Sequence, residues 1–105
     1  MIFEILPRGA ENAITARDLL KLSGMPSGAA LRHQIALERR TGSLILSTCR
    51  GKRRGYFCPS NDPATAQDEL AAFVAQMNSR AKKIIIATLG AREAINDIEQ
   101  ARNDF

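Results

Sequence analysis

The spacing of apolar residues changes period along the chain, and each change marks an element. Ile2, Phe3, Ile5 and Leu6 form a short cluster closed by Pro7 and Gly9, which predicts a first helix of a turn or two with Phe3 and Leu6 packed under Leu19 and Leu31. Ala10–Asn12 reads as a loop. Ala13-Ile14-Thr15 is too short for a strand of its own, but β-branched Ile14 is suited to pair with a later one. Thr15 then reads as an N-cap, with Asp18 completing a capping-box-like pair and Leu19, Leu20 and Leu22 following as an apolar face. Ser23-Gly24 should end that helix, since glycine adopts the left-handed conformation that terminates helices. Met25 plugs the turn, Ser27 caps the next helix, and Leu31 and Ile35 at i, i+4 face inward while Arg32, His33, Ala36 and Arg40 face out. Gly42 closes this helix.

After Gly42 the period drops to two. Leu44, Leu46 and Thr48 fall on one face of a predicted strand, with Ile45, Ser47 and Cys49 on the other, and Tyr56-Phe57-Cys58 forms a second strand ended by Pro59. The loop between them, Arg50-Gly51-Lys52-Arg53-Arg54-Gly55, gives a hairpin with a basic tip. Asn61-Asp62-Pro63 marks a boundary, with Asp62 capping a helix that opens at Pro63 or Ala64 and meets no breaker until about Leu89. On it Leu70, Val74, Met77, Ala81, Ile84, Thr88, Ala91, Ile95 and Ile98 alternate steps of four and three, the seam of a left-handed coiled coil. Gly90 weakens the helix beyond it, so the end is expected to bend back or fray. A helix over 64–89 is about 39 Å long. A 60-residue domain is only about 27 Å across, so the helix should overhang its own domain and expose Ile84, Ile85 and Ile86 unless a second chain covers them. The alternative is that Leu70, Phe73, Val74 and Met77 pack on the same chain.

At 105 residues the composition is that of an ordinary globular chain, and no apolar run, Ile84–Ala87 and Leu70–Ala75 included, is long enough to cross a membrane. No secretory leader is visible at the N-terminus, so the expected location is the cytoplasm and the expected state of Cys49 and Cys58 is the free thiol, although the hairpin could bring the two face to face. The net charge of +4 is unevenly spread: residues 1–60 hold ten Lys and Arg against four Asp and Glu, and residues 61–105 hold five against seven. The cations therefore belong with the two capped helices, the region where a second, outward-facing helix can enter the major groove of DNA. Repulsion within the basic tip is offset if it releases counterions from a phosphate backbone. A salt-screened surface loop is the plainer reading. One histidine, no nucleotide-binding glycine loop, no paired carboxylates and no metal-ligand spacing leave no catalytic, metal or cofactor site to name, so enzymatic activity is not expected.

In ENAITARDLLKLSGM, the ERRTG that closes the second capped helix, and GYFCP, the chain resembles the winged helix-turn-helix family, and more narrowly small winged-helix proteins of phages and prophages. The resemblance covers residues 2 to 60. It implies an α+β, mostly α fold, with three helices and a small antiparallel sheet bearing a basic wing in residues 1–60; the breaker-free stretch and its seam add a long C-terminal helix in 61–105, expected to serve dimerisation. It further implies a DNA-binding protein, a transcriptional regulator or accessory factor, acting on double-stranded DNA, and the seam on the long helix makes a homodimer the expected form. By position Ser27, Ala29, Arg32, His33 and Arg40 would belong to the recognition helix, and Arg50, Lys52, Arg53 and Arg54 to the wing. Leu70, Val74, Met77, Ala81, Ile84 and Thr88 remain the expected dimer contacts. Gly28 and Ala29 stand where strong base readers carry longer side chains, which implies modest sequence specificity. Glu38 stands where such helices carry an apolar residue, and its expected partner is Arg17 or Arg39. Winged helices also hold protein partners, so a protein-interaction module that uses the winged domain and the long helix without binding DNA stays open as the second function.

Overall fold

A computed structural model describes residues 1–49 and 54–104. The described chain is mostly helical, with a small two-stranded antiparallel sheet and a long C-terminal helix. The helices are α1 (Ile2–Ile5), α2 (Ala16–Ser23), α3 (Gly28–Arg40), α4 (Pro63–Ala87) and α5 (Leu89–Asn103), with a 3-10 turn at Ala10–Asn12; the strands are β1 (Leu46–Thr48) and β2 (Gly55–Phe57). The chain divides into two compact units, Met1–Phe73 and Val74–Phe105. The first unit thus takes in the opening turns of α4, past the boundary drawn at residue 60.

Local signals set the ends of α2 and α3. Thr15 Oγ1 accepts from Asp18 N at 3.1 Å, Ser27 Oγ accepts from Ala30 N at 3.1 Å, and Gly24 terminates α2 at φ 69°. These are the bonds that satisfy otherwise orphaned amides and the left-handed residue that releases the chain from the helix. Asp62 Oδ2 does the same for α4, accepting from Thr65 N and its hydroxyl.

The hairpin lies between two apolar clusters. Leu46 pairs with Phe57, Ser47 with Tyr56 and Thr48 with Gly55. Because successive strand residues point to opposite faces, Ile45, Tyr56 and Cys58 join one cluster with Ile2, Leu6, Leu19, Leu31 and Ile35 from α1, α2 and α3, while Leu46 and Phe57 join the other with Ala13, Leu70 and Phe73. The face expected to carry Leu44 with Leu46 is therefore used only by Leu46. Leu44 precedes the paired residues and is 48% exposed. Ile14 supplies the other edge of β2 as a single bridge, with Ile14 N donating to Tyr56 O at 2.9 Å and Tyr56 N to Ile14 O at 2.8 Å. The same register, continued, would set Cys58 opposite Ile45 and Cys49 opposite Arg54. The cysteines are free, Cys58 buried and Cys49 exposed, so the face-to-face arrangement is corrected by register.

Three charged side chains hold the first unit together through backbone partners. Buried Glu38 accepts from Ile2 N at 2.9 Å, Phe3 N at 3.0 Å and Gln34 Nε2 at 2.9 Å. Its bonding partners are thus the free amides that open α1, and not Arg17 or Arg39 as the sequence suggested. Arg39 Nε instead donates to Ile45 O at 2.8 Å, with its guanidinium 5.0 Å from the Phe73 ring centroid. Glu69 accepts from Ala10 N at 2.6 Å and Ser60 N at 2.8 Å. With Leu70 and Phe73 on the second apolar cluster, this fixes the start of α4 to its own chain and removes Leu70 from the free seam.

In its described residues the second unit consists of the end of α4 followed by α5. Its break falls at Thr88, where the N–H and the hydroxyl both donate to Ile85 O, at 3.0 and 2.7 Å. That i to i−3 bonding tightens one turn. Arg92 N then bonds Thr88 O at 3.0 Å, and the helix runs through Gly90 to Asn103, so the fraying expected beyond Gly90 is not seen.

Candidate nucleic-acid interface

The face of α3 turned away from Leu31 and Ile35 carries Ala29, Arg32, His33, Ala36 and Arg40, all exposed. Their spacing of three, four and seven places them on one side of a helix, and Ser27 stands exposed at its N-terminal end with its hydroxyl already accepting from Ala30 N. The structure thus brings together the helical part of the site expected from the sequence. Two arginines and a histidine supply hydrogen-bond donors of the kind that reach base edges or phosphates, and the alanines leave the face low between them.

Gly28 has a role the sequence reading missed. A Cβ placed on it would come within 3.3 Å of Arg32 Nη1, so the missing side chain leaves the Arg32 guanidinium room to lie back over the first turn of α3. The i, i+4 spacing of Gly28 and Arg32 was the available signal.

Of the expected wing residues, Arg50, Lys52 and Arg53 lie outside the described residues. Arg54 is described and exposed. It lines an open cleft of about 530 Å³ together with Ile5, Ile14, Thr15, Asp18 and Leu22, which sets it beside α1 and α2. Arg39, counted among the basic residues of this half, is held by Ile45 just before β1 and by Phe73 on α4. Among the described residues no group of three or more His, Cys, Asp or Glu side chains stands together as a metal set, and no helix is long and apolar enough to cross a membrane. No family model, curated protein or solved structure matches this chain.

Proposed function

We propose that Met1–Phe73 is a winged helix-turn-helix unit that binds duplex DNA, with α3 in the major groove and residues 50–54 on the phosphates. The observation that carries this reading is the uncovered face of α3, small at Ala29 and Ala36 and cationic at Arg32 and Arg40. It is supported by the order of elements, in which a short helix, a one-residue bridge, two helices and a hairpin follow one another, and by the excess of cations in residues 1–60. The regulatory or accessory role expected of such phage-type proteins goes with this reading. Protein recognition through the same unit is the competing reading, and the duplex-binding measurement separates the two.

Affinity for labelled duplexes measured across a salt series tests it. With about six phosphates contacted, log K should fall with log salt at a slope near −5. Replacing Arg50, Lys52, Arg53 and Arg54 by Ser should weaken all sequences about equally and flatten that slope, whereas Arg32→Ala should weaken a preferred site by about 1–3 kcal/mol more than a random one. Absence of binding to any duplex at low salt overturns the proposal.

A further inference from the structure

The second unit leaves a row of large apolar side chains in water. Val74, Ile84, Ile95 and Ile98 are 56%, 64%, 55% and 60% exposed, and Ile85 is 52% exposed. A lone helix in water draws little stability from propensity and needs an apolar face covered. We propose that the cover is a second copy of this chain running antiparallel, in one register, over residues 74–98. This inference is independent of DNA binding.

The register follows from the seam itself. With Val74 set opposite Ile98 of the second copy, Met77 meets Ile95, Ala81 meets Ala91 and Ile84 meets Thr88, and the two-fold axis repeats each layer. These are a-to-d layers, the pairing an antiparallel coiled coil uses. Large side chains meet large ones at the ends, the alanines meet each other, and Thr88, the most polar seam residue, lies against Ile84. A parallel pair would instead stack Thr88 on Thr88.

Charge selects the same direction. Residues 74–87 carry Arg80, Lys82 and Lys83 and no acid, while residues 88–104 carry Arg92 and Arg102 against Glu93, Asp97, Glu99 and Asp104. A parallel pair would align each stretch with its own copy, and its flanking positions offer nothing in return: Arg80 would face Ile85, Ala87 would face Arg92, and Ala94 would face Glu99. Antiparallel pairing separates the copies of Arg80–Lys83 by about 9 to 18 Å along the axis, at or beyond the screening length of about 8 Å in physiological salt. It also brings the acidic stretch alongside the other copy's Phe73–Ser79, next to Arg80.

Light scattering of the full chain at micromolar concentration, without DNA, should give twice 11.5 kDa. Ile84→Asp should raise the dissociation constant at least about thirtyfold, as loss of a central apolar contact does. Direction is read by oxidative cross-linking in a Cys49→Ser background. Val74→Cys with Ile98→Cys should give a covalent dimer, and Val74→Cys alone should not. A one-chain mass overturns the proposal, as does cross-linking of Val74→Cys alone, which reports a parallel pair. A four-chain mass overturns the two-chain assembly, because Ile86 and Leu89, which lie off the seam and are 61% and 53% exposed, would then be covered as well.

Discussion

Gly55→Ala is expected to cost the first unit about 4 kcal/mol or more. Gly55 opens β2 at φ 139°, a conformation L-residues rarely adopt, and a Cβ there would be driven onto the Ile14 carbonyl and to 2.9 Å from Thr15 Cα. The Ile14 carbonyl is the acceptor for Tyr56 N, so the added methyl acts on the bridge that ties β2 to the segment before α2. Backbone strain of about 1–3 kcal/mol then adds to the loss of two hydrogen bonds worth about 1 kcal/mol each. A unit of this size has a total stability of about 4–11 kcal/mol, so much or all of the fold is at stake. Gly24→Ala is the control. It shares a positive φ of 69° but nothing stands within 4 Å of its Cβ position, and it should cost only about 1–2 kcal/mol. Denaturant midpoints of the two variants decide the matter, and equal shifts would mean that close approach at Ile14 contributes nothing.

Gly24 was legible in the sequence and the role of Gly55 was not, and the contrast generalises. The Gly24 terminator, the Thr15 and Ser27 caps and the Leu31 and Ile35 face each depend on residues within one or two turns, so spacing alone reveals them. The Ile14 bridge was anticipated from β-propensity, but its intimacy with Gly55 depends on a contact across 41 positions of sequence. Hairpin register depends on the loop it closes, which is why alternation within one strand did not place Cys49 against Cys58 correctly. Charge pairing misled in the same way. Charge alone matches Glu38 to Arg17 or Arg39, yet its carboxylate bonds the amides of Ile2 and Phe3 far along the chain. At the candidate interface the exposed face of α3 was readable from its 3.6-residue period. The value of Gly28 was not, because it lies in space left for Arg32.

Glu38 should make the first unit acid-sensitive, and its replacement should reduce that sensitivity. Burial alone would raise the carboxyl pKa, but bonds from Phe3 N, Ile2 N and Gln34 Nε2 favour the carboxylate and hold it below the ordinary value. A pKa lower in the folded than in the unfolded chain, where it is about 4.3, contributes stability that is complete above the unfolded value. That stability is lost as pH falls through the folded one. Wild-type stability should therefore decline as pH drops below about 4.3. Glu38→Gln keeps the shape and one acceptor oxygen, and should be less stable at pH 7 with a flatter profile below pH 5. Glu38→Ala should be the more damaging, at about 3–5 kcal/mol, since it leaves buried donors without an acceptor. Thermal or denaturant unfolding from pH 3 to 7 reads both effects. If Glu38→Gln keeps the full wild-type slope below pH 5, the acid-sensitive group lies elsewhere and Glu38 serves α1 only by filling space.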